Sequence, residues 1–122
     1  MSVYGCNINQ LPYFCFQIDQ IMAKSSFKDL INSNTPLLID FYADWCGPCK
    51  SFSPIIDQLK DEMGDTVRVI KIDVDKNQSL SQKLKVMSIP TVMIYQNGKR
   101  KFEGKGMHTL QDLKQRLKDL IK

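Results

Sequence analysis

The sequence predicts an α/β domain in which a central mixed β-sheet is flanked by α-helices. Three observations carry this. A continuous apolar run, Leu37–Tyr42, has the length of a strand and lacks polar alternation, as expected when both faces of a sheet are covered. Segments of helical and strand period then alternate along the chain. An Asn97-Gly98 turn between two extended segments adds a hairpin, and an amphipathic segment closes the sequence.

Taken in order, Ser25 or Ser26 can cap a short helix reaching about Asn32, and Asn34-Thr35-Pro36 ends it. After the apolar strand, Phe52, Ile55, Ile56, Leu59 and Met63 recur at helical spacing, which places a helix over about 46–63 with one apolar face inward. Pro54 lies inside it and is expected to kink it. A strand over 67–72, a short helix over 80–84 and a strand over 91–95 follow. The hairpin returns the chain over 99–103, where Gly104 reads as a bulge. Leu110, Leu113, Leu117, Leu120 and Ile121 mark the terminal helix.

At 122 residues there is room for one core and no second domain. With 43% hydrophobic and 25% charged residues, disordered and collagen-like classes are disfavoured. No apolar run approaches the roughly 18 to 20 residues of a membrane-spanning helix. The net charge of +4 is spread along the chain, with Lys99-Arg100-Lys101 soon followed by Glu103, so neither nucleic acid nor a membrane is an expected partner.

Residues 1–21 differ in composition from the rest: Asp19 is the one charged side chain, and Cys6 and Cys15 stand among Tyr4, Tyr13, Phe14 and Phe16. The apolar residues are interrupted by Asn, Gln and Pro12, which is not the pattern of a secretory signal. Two readings stand, an N-terminal extension or a start-site artefact with translation beginning at Met22; either way residues 22–122 carry the domain.

The chemistry concentrates at Trp45-Cys46-Gly47-Pro48-Cys49-Lys50, where the first core strand turns into the long helix. At a helix N-terminus the first N–H groups lack partners and the macrodipole is positive, so a thiolate is favoured over a thiol. In Cys-x-x-Cys sites the thiol pKa falls from about 8.5 to about 7 or lower. Cys46, nearer the helix start and the solvent, is the expected nucleophile, and Cys49, one turn in, the resolving thiol. The competing reading is half of a zinc site, but the further ligands available, Cys6, Cys15 and His108, are remote and form no paired knuckle. No metal is therefore expected. His108 is read as a surface or cap residue.

The run Phe41-Tyr42-Ala43-Asp44-Trp45-Cys46-Gly47-Pro48-Cys49-Lys50 resembles the active-site signature of the thioredoxin family, and the similarity extends from about Ser25 to the C-terminus. The resemblance implies the thioredoxin fold and reduction of protein disulfides. It implies recharging by a thioredoxin reductase that draws on NADPH, with no cofactor beyond a redox-active Cys46–Cys49 disulfide. A cytoplasmic monomer is the expected form. Cys6 and Cys15 match nothing in the family pattern.

Further residues gain roles through the resemblance. Asp40 puts a carboxylate into a buried strand, where an unpaired charge is costly and its pKa rises; the family's matching Asp lies beneath the second cysteine and helps deprotonate it. Lys71 matches the family lysine near that carboxylate. Ile89-Pro90-Thr91 matches the segment in which a cis proline faces the dithiol and the preceding residue offers backbone hydrogen bonds to an extended substrate. Gly106 matches a glycine that admits substrate closely, and Trp45, with Gly47 and Pro48, presents a flat surface beside the cysteines. Two rivals remain: the same chemistry run as an oxidant or isomerase, and an accessory subunit in which the dithiol is incidental. Strong oxidants, at about −120 mV against about −270 mV for thioredoxin, usually carry a histidine where Pro48 stands.

Overall fold

The computed structural model describes residues 26–121; Ser25 and the segment 1–21, with Cys6 and Cys15, lie outside them. The elements in order are α1 (Ser26–Ile31), β1 (Leu37–Tyr42), α2 (Gly47–Met63), β2 (Arg68–Asp73), α3 (Gln78–Lys83), β3 (Thr91–Gln96), β4 (Lys99–Lys105) and α4 (Leu110–Lys118). The described strands form one sheet in the order β2-β1-β3-β4, with β1 and β2 parallel and the other pairs antiparallel. This is the predicted mixed sheet.

The apolar run of β1 follows from its place between β2 and β3, with a layer on each face. Leu38, Val69, Val92 and Ile94 pack under Phe52, Ile56, Leu59 and Met63 of α2 and Leu113 and Leu117 of α4. On the opposite face Ile39, Phe41, Ile70, Ile72 and Met93 meet Ile31 and Leu80. Burying a side chain of this size stabilises by about 1.5–3 kcal/mol, so these two clusters are the main source of the fold's stability. The edge strand β4 carries its exposed lysines Lys99, Lys101 and Lys105 where an open edge would otherwise invite pairing.

Pro54 lies inside α2, as the helical spacing placed it, and the apolar face of that helix rests on the sheet. Several boundaries differ from the expected ones. The last helix stops at Lys118, leaving Ile121 exposed. The hairpin turns as expected, with φ of 54° at Asn97 and 80° at Gly98, but β4 continues to Lys105 and its irregularity is not at Gly104. Ile94 pairs with Phe102 and Tyr95 with Arg100, so Lys101 is the extra residue, while Gly104 pairs in register with Val92.

Gly104 has a different reason. A Cβ there would stand 2.7 Å from Phe102 Cζ and overlap the His108 ring. That ring meets Phe102 edge-on, with centroids 5.6 Å apart, and the Arg116 guanidinium covers Phe102 at 4.0 Å. His108 is thus a packing residue; the cap of α4 is Thr109, whose hydroxyl accepts from Asp112 N–H at 3.0 Å. Gly104→Ala is expected to push the His108 ring aside and to cost about 1–3 kcal/mol, the usual range for overpacking. A urea midpoint unchanged from the parent would contradict this.

Candidate active site

Parallel pairing sets the carboxyl ends of β1 and β2 side by side, and the site lies there. Val74 N–H donates to Tyr42 O at 2.8 Å as the strands end, and Cys46 N–H donates to Ala43 O at 3.1 Å as the chain turns into α2. Cys46 is the N-cap of α2, with φ −86° and ψ 111°, and Pro48 occupies the first turn, where no N–H is needed. Cys49 N–H, one of the donors a helix start leaves unpaired, points at Cys46 Sγ at 3.2 Å. Dipole and donor together favour negative charge on this sulfur.

Cys46 and Cys49 are joined as a disulfide, with Cα atoms 5.3 Å apart. Each residue is 4% exposed, so solvent access does not set Cys46 apart as expected. Its place at the cap does. Gly47 and Pro48 are exposed above the pair, and no atom lies within 4 Å of where a Gly47 side chain would begin.

The Ile89–Pro90 bond is cis, and Ile89 O lies 3.9 Å from Cys46 Sγ. Pro90 O accepts from Gly106 N–H at 2.8 Å, which ties the two loops together. Gly106 has φ +83°, a conformation that only glycine adopts without strain, with open space where a side chain would stand. Thr91 is 1% exposed and donates its hydroxyl to Ser88 O at 2.6 Å, so its side chain is turned inward and braces the loop. Trp45 is 70% exposed, and its indole N–H donates to Asp75 Oδ2 at 2.7 Å. Asp75 itself is placed by Asp73, whose Oδ1 accepts from the Asp75 and Lys76 N–H groups at 2.8 and 3.3 Å.

Beneath the pair, a solvent-open cavity of about 270 Å³ is lined by Asp40, Cys49, Ser53 and Lys71, among others. Asp40 is 1% exposed and its Oδ1 has no hydrogen-bond partner. Burial pushes its carboxyl up to about 7, the Lys71 ammonium acting to lower it and the Asp57 carboxylate to raise it. Lys71 is Asp40's register partner across β1 and β2, yet its Nζ donates to Ser53 Oγ at 2.6 Å and to Asp57 Oδ1 at 2.8 Å. The family resemblance implied a place for Lys71 near the carboxylate but did not point to these two partners. Their spacing was readable: Cys49, Ser53 and Asp57 follow one another at four-residue intervals on one face of a helix. Asp75 was also missed; its signal is a position just past the carboxyl end of a parallel strand.

Among the described residues no group of three or more His, Cys, Asp and Glu side chains could hold a metal ion. None of the described helices is long and apolar enough to cross a membrane. His108 Nδ1 lies 3.2 Å from Gly106 O, within reach to donate a hydrogen bond.

A bonded cysteine pair capping a helix at the end of a central strand, with a buried carboxyl below it, is the arrangement of a dithiol–disulfide exchange site. The family model for thioredoxin matches residues 19–119. A thioredoxin of Rickettsia conorii is 40% identical over 68% of this chain and 79% of its own length. The chloroplastic thioredoxin Y1 of Arabidopsis thaliana is 38% identical over 80% of this chain and 57% of its own. In structure, the oxidised mitochondrial thioredoxin 3 of Saccharomyces cerevisiae superposes with a TM-score of 0.70 at 35% identity, over 78% of this chain and 88% of that one. A point mutant of a thioredoxin from Halobacterium salinarum gives 0.72 at 32% identity, over 82% and 87%. The chain belongs to the thioredoxin family. It is a protein-disulfide oxidoreductase that works by dithiol–disulfide exchange through Cys46 and Cys49.

Proposed function

We propose that the chain runs this exchange as a reductant of protein disulfides, as a cytoplasmic monomer recharged by an NADPH-dependent thioredoxin reductase and needing no bound cofactor or metal. The Cys46 thiolate attacks a substrate disulfide, forming a mixed disulfide and releasing one substrate thiolate. Asp40, as carboxylate, takes the Cys49 proton through solvent in the cavity. The Cys49 thiolate then attacks Cys46 Sγ, closing the Cys46–Cys49 disulfide and releasing the second substrate thiolate. Ile89, through its carbonyl beside the reacting sulfur, with Pro90, Gly106 and the exposed Trp45, Gly47 and Pro48, forms the face on which an extended substrate segment lies.

The observation that carries the reading is Asp40, buried, unpartnered at Oδ1 and held to about 7, in the same cavity as Cys49. A general base is most effective when its pKa lies near the working pH. The reducing direction is favoured because strong oxidants stabilise the nucleophile's thiolate heavily. Here Pro48 supplies no donor, and His108 packs against Phe102.

Insulin reduction coupled to NADPH through thioredoxin reductase tests this. Steady NADPH consumption is expected, undiminished by a chelator and by deletion of residues 1–21. Rapid oxidation of a reduced substrate without NADPH-driven reduction would favour the oxidant reading instead.

A further inference from the structure

Asp40 and Lys71 stand opposite one another on neighbouring strands, two residues beyond Leu38 and Val69, and so turn to the same face, towards α2. An ammonium and a carboxylate so placed ordinarily close on each other. They do not close here. Lys71 Nζ goes to Ser53 and Asp57, one turn apart on α2, and Asp40 Oδ1 remains without a partner.

We propose that Ser53 and Asp57 are positioning residues of the dithiol site, a clamp that holds the Lys71 ammonium against α2 and so keeps the Asp40 carboxyl free to exchange a proton. The clamp needs both arms. Asp57 is 61% exposed at its side chain, and an ion pair so open to solvent fixes little by itself. Ser53 is half-buried and shorter, and its hydroxyl sets where the ammonium stops. Asp57 also adds negative charge that raises the Asp40 carboxyl, in the same sense as keeping Lys71 away. The other ionisable groups on this cavity are Tyr42 at the end of β1, Asp44 in the turn after it and Lys50 from the start of α2; none of them bonds to Lys71.

The inference builds on the part proposed for Asp40, and its test reads the carboxyl itself, without any reaction. The Asp40 side-chain carbon is followed by 13C NMR across pH in the oxidised full chain. In Ser53→Ala and Asp57→Asn the midpoint should fall from its parent value, and in the double variant by about one pH unit or more, since a released ammonium can reach the carboxylate. Ser53→Thr keeps the hydroxyl and should keep the parent midpoint, whereas Lys71→Met should raise it. An unmoved midpoint in the double variant, with a folded spectrum, would overturn the clamp, as would a Thr variant that shifts like the Ala one. A midpoint that moves while the pH profile of Cys49 resolution stays fixed would uphold the clamp and tell against Asp40 as the proton acceptor.

Discussion

Cys49→Ser is expected to accumulate stable mixed disulfides with its substrates, and Cys46→Ser to form none. The two sulfurs sit in unlike positions. Cys46 caps α2 and receives the Cys49 N–H, so it is the sulfur on which negative charge is stabilised. Cys49 lies one turn in, lining the cavity that Asp40 shares. Removing the first stops the cycle before any bond to substrate forms; removing the second stops it after that bond, with nothing positioned to break it. Incubation with a disulfide substrate followed by non-reducing electrophoresis separates the two. Trapping by Cys46→Ser, or equal loss without trapping in both variants, would contradict the assignment.

Asp40→Asn is expected to act on both rate and stability. On the rate, removing the proton acceptor should slow resolution by about 10²-fold, within the usual range for general-base catalysis, while sparing the first attack. On stability, the sign follows from the two protonation equilibria. The unfolded carboxyl loses its proton near the ordinary 3.8, and the folded one keeps it to about 7. Between these values the folded state binds more protons, so stability falls as pH rises. The contribution is fully present below the unfolded value and lost once pH has risen through the folded one. At about 1.4 kcal/mol per pH unit, the span corresponds to about 4 kcal/mol. Asn does not titrate, so the variant should gain on the parent by about that amount between pH 4 and pH 8. Denaturant melts of the oxidised protein across this range, with single-turnover reduction alongside, measure both effects. A pH-independent stability difference together with unchanged resolution would remove Asp40 from the mechanism.

Much of this site was legible because it is built from local rules. The apolar run of β1 announces a strand covered on both faces, and Asp40 announces itself as the one charge inside that run. The paired cysteines declare their chemistry through their position at a strand-to-helix turn. Asn97-Gly98 fixes the hairpin for a reason confined to two residues. What stayed hidden depends on the packing of distant segments. Lys71 was placed beside Asp40 by the family resemblance alone, and that its ammonium turns to Ser53 and Asp57 depends on how α2 lies across β2. The Trp45–Asp75 bond joins residues thirty apart through the parallel pairing of β1 with β2. Gly104 reads as a bulge in a strand and is instead the floor under the His108 ring, which no local pattern records.

The most direct measurement is a mass map of the adduct formed when full-length Cys49→Ser meets a disulfide-containing protein. Digested without reduction, the adduct should yield a single cross-linked peptide in which Cys46 is joined to a substrate cysteine, with Cys6 and Cys15 unmodified. A substrate linked instead to Cys6 or Cys15, or no adduct at all from a folded protein, would contradict dithiol exchange initiated at Cys46.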